Sequence, residues 1–344
     1  SQLIWKQKIV RETLRRIGGI VNIEVEPCLT SPSDRNYRTI ARYPAHMTQN
    51  ELLFGYFERR SYKIVDIQSC PVAIEKVNDT ASAVRLFINE NFPYLDIREL
   101  TLQCSLYHRS MLLSITLGSR RAFSESLESI FTGVPGLSGV SFRYIESPKV
   151  SKYIRSYGDH HRYEIINGKQ FRIDERSFFQ INIPQTEQLV DTVKDMIGDI
   201  SGGKIIDGYG GVGLFSLSIA SQNTDIYLFD TSFPAVKDSM YNARNMEFSR
   251  FHGRKEPAGA AFTQIGKAEV LIIDPPRTGL GTQAIKAACF SHAEILVYVS
   301  CDPTTLSRDL KMFCENGYEI QRVVPVDMFP HTYHIETVVK LQRK

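Results

Sequence analysis

The chain has 344 residues, more than one hydrophobic core ordinarily holds, and its length fits two domains. Its 42% apolar and 23% charged residues are those of a folded globular protein and exclude wholesale disorder. The net charge, 41 basic less 38 acidic side chains or +3, is too small to identify a nucleic-acid binder by itself. No apolar run approaches the roughly 20 residues that cross a bilayer. The opening SQLIWKQK has no apolar signal core, so a cytoplasmic protein is expected. Cys28, Cys70, Cys104, Cys289, Cys301 and Cys314 show no C-x-x-C spacing and read as reduced thiols, one of them a candidate for catalysis.

Residues 1–17 predict an amphipathic helix with Leu3, Val10, Leu14 and Ile17 on one face, stopped by Gly18-Gly19. Nothing precedes Ser1 to cap that helix, so the sequence is expected to begin inside a longer protein. From about 20 to 175 the pattern is mixed, with strands at YKIVDI and LLSITLG and a helix at SAVRLFINENF. YEIINGKQFRI predicts a hairpin turning at Asn167-Gly168. Basic clusters occur at Arg11, Arg15 and Arg16, at Arg59, Arg60 and Lys63, and at Arg120 and Arg121; each alone reads as a solvated face. From about 176 strands and helices alternate, which predicts a parallel sheet covered on both faces. The expected domains are therefore 1–175, mixed α+β, and 176–344, α/β.

Five segments carry chemistry. DGYGGVGLFSLSIA joins a strand to a helix through Gly208, Gly210, Gly211 and Gly213, where the backbone can approach a ligand closely. The next strand ends in Asp230, a carboxylate able to accept both hydroxyls of a ribose. A tight turn without a ligand fits the glycines too. VLIIDPPRTGL puts Asp274 at the carboxyl end of a strand, where α/β sheets bind ligands, before two stiffening prolines. LVYVSCDPTTLSRDL puts Cys301 at the same edge, just before a helix whose dipole is expected to favour thiolate. DMFPHTYHIETVVKL puts Glu336 at a strand entrance beside His331 and His334; nucleophile and base together make a catalytic pair. The two histidines lack a third metal ligand and read as structural. ERSFFQIN offers Phe178 and Phe179 for stacking a base and Gln180 as donor and acceptor, or else a buried strand.

SFFQIN, the Gly-rich loop, DPPRTGL, YVSCDPTTLSRDL and MFPHTYHIE, in this order, closely resemble the RNA uridine-C5 methyltransferases, which modify transfer and ribosomal RNA. YRTIARYP and LLFGYFERRSYKIVDIQSCPVA extend the resemblance over nearly the whole chain. The resemblance implies a class I, Rossmann-like S-adenosylmethionine-dependent catalytic domain behind an N-terminal RNA-binding domain. It implies Cys301 as nucleophile, Glu336 as general base, and cofactor contacts from Gln180, Tyr209, Asp230 and Asp274. Leu214 stands where the family usually has a small polar residue. Ribosomal-RNA members often carry a [4Fe–4S] cluster with three upstream cysteine ligands and a fourth at the position of Cys70. Here Cys70 is an orphaned ligand or a plain buried thiol. No other metal is expected; the expected partner is RNA, ribosomal before transfer RNA, bound by a monomer. Three rivals remain: an amine-directed methyltransferase using DPP, from which Arg277 departs in place of an aromatic; an idle RNA-binding factor; and a dinucleotide oxidoreductase, whose glycine spacing is absent.

Overall fold

The computed structural model describes residues 2–49, 51–148, 150–200 and 202–344. The chain divides into two units. The first comprises the residues up to Asp34, Ile165–Arg172 and Arg176–Lys344; the second comprises Arg35–Glu164 and Ile173–Glu175. The expected boundary at 175/176 thus needs a correction at the other end of the chain, since the first 34 residues join the C-terminal unit. The physical reason is edge protection. Val25 and Leu29 bridge in parallel to Val323 and Val326, and the amides of Glu26 and Leu29 donate to the carbonyls of Val323 (3.0 Å) and Pro325 (2.9 Å). An otherwise bare sheet edge is covered in this way.

The first helix, α1 (Gln2–Thr13), continues into one π-helical turn, Leu14–Gly18. Val10 and Leu14 enter the core of the first unit with Leu306, Leu310 and Phe313. The wider turn moves the apolar face off the α-helical spacing, so Ile17, expected on that face, is 44% exposed while Leu14 is 1% exposed.

In the second unit, β1 (Ile40–Met47), β2 (Leu52–Phe57), β3 (Ile64–Asp66), β4 (Ile97–Cys104), β5 (Met111–Leu117), β6 (Leu137–Ser147) and β7 (Val150–Gly158) form a sheet ordered β3-β2-β1-β4-β5-β6-β7 among the described residues. Only β5 and β6 pair in parallel. Helix α2 (Glu75–Asn91) lays Val77, Ala81, Val84 and Ile88 into a core with Leu100, Leu102, Leu113 and Ile115; α3 (Ser129–Gly133) is a single turn. The hairpin of β8 (His161–Ile166) and β9 (Lys169–Asp174) turns where expected, with Asn167 at φ 48° and Gly168 at φ 78°.

The rest of the first unit runs α4 (Ile183–Ile197), β10 (Lys204–Gly208), α5 (Leu214–Ile219), β11 (Asp225–Asp230), α6 (Phe233–Asn245), β12 (Phe251–Lys255), α7 (Ala258–Ile265), β13 (Val270–Ile273), α8 (Thr282–Phe290), β14 (Ile295–Ser300), α9 (Pro303–Glu315), β15 (Tyr318–Val326) and β16 (Glu336–Arg343). Its sheet is ordered β12-β11-β10-β13-β14-β16-β15. Strands β10 to β14 are parallel, and β16 inserts antiparallel between β14 and β15. The strands β13 and β14 are apolar on both faces, as a sheet covered by helices requires.

The π-turn makes a direct stability prediction. Leu14→Ala should cost about 2–4 kcal/mol, the range for emptying a buried leucine site, and Ile17→Ala less than about 0.5 kcal/mol. Denaturant titration of both variants measures this; equal costs would contradict the described register.

Candidate active site

The carboxyl ends of β10, β11, β13 and β14 lie at one edge of the sheet, and each sequence-predicted site residue of this unit sits there or in a loop beside it. After β10 the chain turns through Tyr209, whose φ of 66° is a left-handed conformation that a bulky side chain seldom adopts. Gly211, at φ 56°, donates its amide to Asp230 Oδ2 (3.1 Å), and Ser232 donates its amide to Asp230 Oδ1 (2.7 Å). Asp230 is therefore held in place by two backbone donors, and each oxygen keeps lone-pair capacity for another. Gln180, Tyr209, Gly211, Leu214 and Asp274 line one cavity. Leu214 is 7% exposed and gives that cavity an apolar wall where a polar contact is usual.

Phe178 and Phe179 part company. Phe178 is 73% exposed and offers a free ring face, whereas Phe179 is buried and packs with Phe171, their centroids 6.3 Å apart. The expectation that both rings stack a base is corrected for Phe179: alternation along an extended segment sends one ring out and the next into the core.

Cys301 and Glu336 are brought together by strand pairing. Ser300 of β14 is partnered with Thr337 of β16, so one further step of the antiparallel register sets Cys301 opposite Glu336. Asp274, just past β13, lies on the neighbouring strand of the same edge. The loop after Asp274 is fixed from α9. Thr305 donates its hydroxyl to the Arg277 carbonyl (3.1 Å), Arg308 donates to the Thr278 carbonyl (2.9 Å), and Asp309 accepts the Leu280 amide (2.8 Å). Gly279, at φ 71°, has no room for a side chain, since a Cβ there would lie 2.5 Å from both Arg308 and Asp309. The residues of TTLSRDL thus lock the DPPRTGL loop, a role the sequence reading did not assign to them.

Electrostatically the site is a cluster of acids in which Asp207 and Glu336 are buried and Asp274 is half-buried. Burial pushes Asp207 up to about 6 and Asp274 up to about 7, the neighbouring carboxylate adding to Asp274's rise. Glu336, 3% exposed, is pushed well above the usual carboxylate range by burial and then by Asp274, with Arg277 opposing. Cys301 is raised to about 11 by burial, then by Glu336 and Asp274, again against Arg277. Burial and the neighbouring acids thus work against the thiolate that the helix end was expected to favour. The reason is local. Asp302 caps α9 and takes the amides of Thr304 (2.7 Å) and Thr305 (3.2 Å) on its own carboxylate, while Cys301 precedes the cap and faces two acids. Arg277, noted in the sequence only as a departure from another signature, is the cation that offsets the charge of both Cys301 and Glu336.

His331 Nε2 lies 3.2 Å from Asp34 Oδ2, and the His334 ring lies against Tyr333 and beside Arg277. Cys70 is buried, with its sulfur 3.4 Å from the Tyr56 hydroxyl and its amide accepted by Asn78 (2.8 Å). Among the described residues the one trio of potential metal ligands is His160, His161 and Asp174, and Cys70 is not part of it. An iron–sulfur cluster needs about four thiolates, so the residues present do not hold one by themselves, and no step is derived through it.

This strand order, with a Gly-rich turn after β10, an acidic residue ending β11 and a cysteine just past β14, is that of a Rossmann-like methyltransferase domain. A family model described as tRNA (Uracil-5-)-methyltransferase matches residues 258–344. An uncharacterized RNA methyltransferase of Halalkalibacterium halodurans is 31% identical over 100% of this chain and 79% of its own length. One of Caldanaerobacter subterraneus is also 31% identical, over 100% and 80%. The crystal structure of Pyrococcus abyssi tRNA (uracil-54, C5)-methyltransferase in complex with S-adenosyl-L-homocysteine superposes with a TM-score of 0.79 at 26% identity, covering 98% of this chain and 83% of that one. The chain belongs to the RNA uracil-5-methyltransferase family.

A thiol pKa raised by burial has a measurable consequence. Alkylation of Cys301 by iodoacetamide, followed on its tryptic peptide by mass spectrometry, should be slow at pH 7 and quicken about tenfold per pH unit through pH 10. A rate that levels off below pH 8 would show a thiolate poised by the helix instead.

Proposed function

We propose that this protein makes 5-methyluridine in RNA, with S-adenosylmethionine as methyl donor, Cys301 as nucleophile and Glu336 as general base. The observation that carries the reading is the facing of Cys301 and Glu336 across the β14–β16 register, with a small cavity lined by Gln180, Tyr209 and Asp274 at the same sheet edge. The residues there fit the cofactor: a glycine turn that admits close approach, the anchored Asp230 for ribose hydroxyls, and Gln180, Tyr209 and Asp274 along the cavity. When bound, S-adenosylmethionine supplies an electrophilic methyl group. Carbon 5 of uracil is a poor nucleophile. Addition of the Cys301 sulfur at carbon 6 makes the ring an enolate with an electron-rich carbon 5. The thiol proton passes to solvent as the sulfur adds, and Arg277 steadies the negative charge left behind. Once carbon 5 carries the methyl group, Glu336 removes the carbon-5 proton, the double bond re-forms, and Cys301 leaves. Asp274 either binds the uracil N3–H or lies between target base and cofactor. The target base leaves its stack to reach the half-buried thiol, and the exposed Phe178 ring is placed to receive it.

The second unit is the RNA-binding domain in this reading. The β2–β3 hairpin presents Phe57 (52% exposed) and Tyr62 (93% exposed) beside exposed Arg59, Arg60 and Lys63. Aromatic faces interleaved with cations suit a single-stranded RNA segment. We propose ribosomal RNA over transfer RNA as substrate, on the resemblance of the upstream segments, with the protein acting as a monomer. The free cysteines suit action in the cytoplasm. No helix among the described residues is long and apolar enough to cross a membrane.

Glu336→Gln keeps the shape of the base and removes its basicity, so the methylated Cys301–RNA adduct should form and fail to resolve. Denaturing gels should show a protein–RNA band carrying the methyl label, absent when Cys301→Ala is added. Cys301→Ala alone should abolish methylation and leave cofactor affinity intact. Ribosomal and transfer RNA transcripts in parallel lanes identify the substrate, and Phe57→Ala/Tyr62→Ala should weaken RNA binding by roughly 30-fold or more, one to three kcal/mol being typical per stacked base. Normal turnover by Glu336→Gln would remove it as the base.

A further inference from the structure

Glu336 is the first residue of β16, so its placing depends on the segment Asp327–Ile335 that leads into the strand. That segment is gripped from outside by a residue the reaction does not use. Lys6 of α1 is 3% exposed. Its ammonium donates to Asp327 Oδ1 (2.6 Å), to the Phe329 carbonyl (3.2 Å) and to the His334 carbonyl (2.8 Å). All three donors of the side chain are thereby used on one segment. Asp327 opens that segment and His334 lies near its end, so one buried ammonium draws its two ends together. Gln2 adds a second grip: its side chain donates to Asp327 Oδ2 (3.4 Å) and accepts the His331 amide (3.3 Å).

The helix that carries Lys6 is itself seated on the nucleophile's side of the site. Val10 and Leu14 pack in one core with Leu306, Leu310 and Phe313 of α9, the helix that follows Cys301. A single packed element therefore connects the helix after the nucleophile to the loop before the base. We propose that Lys6 is a positioning residue that holds the Glu336 carboxylate in place for proton removal from carbon 5, acting through the 327–335 segment. The inference rests on the covalent mechanism proposed above.

Lys6→Met keeps the aliphatic stem and removes the three donors. Cys301 and its strand are untouched, so the adduct should still form, but the misplaced base should resolve it slowly. The expected result is accumulation of the methyl-labelled protein–RNA band, a fall in kcat of about 10- to 100-fold, the scale of a small misplacement, and an unchanged KM for the cofactor. Lys6→Arg, which keeps donors, should accumulate less of the band. Because Lys6→Met strands Asp327 as a buried unpaired charge, the Lys6→Met/Asp327→Asn variant guards against loss of folding. With a wild-type melting temperature it should still accumulate the band, since the two carbonyls remain unheld. If that variant folds and turns over at the wild-type rate, Lys6 is a structural ion pair and nothing more. If Glu336→Gln traps the adduct and neither Lys6 variant does, the positioning role fails and the mechanism stands. If Glu336→Gln traps nothing, the base assignment falls and the role of Lys6 with it.

Discussion

The antiparallel insertion of β16 between β14 and β15 is the constraint on which the site depends. In a wholly parallel sheet every strand would leave at the same edge, and the first residue of a strand would lie at the edge remote from the ligand. Reversing one strand brings its first residue, Glu336, to the edge where Cys301 ends its neighbour. Buried apolar side chains hold both strands: Leu296, Val297, Tyr298 and Val299 on one, Val338, Val339 and Leu341 on the other are all 0% exposed. Cys301 and Glu336 thus inherit their spacing from a backbone ladder and not from flexible loops.

The same burial sets the charge state. Three carboxyl groups, Asp207, Asp274 and Glu336, gather in a low-dielectric edge, and the exposed Arg277 is the cation that opposes their charge at Cys301 and Glu336. Desolvation favours the neutral form of each acid and of the Cys301 thiol alike.

Much of this was legible in the sequence. The alternation of strands and helices after residue 176, the Asn167-Gly168 turn, the cap of α9 and the place of Cys301, Asp230 and Asp274 at strand ends all follow from local pattern and turn chemistry. What was not legible is non-local. The order of the strands, and so the facing of Cys301 and Glu336, is a property of the sheet. Strand β12, Phe-His-Gly-Arg-Lys, is a polar edge strand without alternation and was passed over. Ile17 follows the α-helical period, but one π-turn overrides it. The first 34 residues gave no sign that they cover a sheet edge formed some 290 residues later. Nor does a lysine in an amphipathic helix announce that it is buried against three oxygens at the far end of the chain.

The central claim is a covalent bond between Cys301 and carbon 6 of the target uridine. The most direct measurement uses the wild-type protein with S-adenosylmethionine and substrate RNA carrying 5-fluorouridine at the target. After methyl transfer, carbon 5 then bears fluorine where Glu336 needs a proton, so the adduct cannot resolve. Mass spectrometry of the nuclease- and trypsin-digested complex should find the Cys301 peptide joined to a methylated fluorouridine nucleotide. Methylation of ordinary RNA by the same preparation, with no modified Cys301 peptide from fluorinated RNA, would contradict the account.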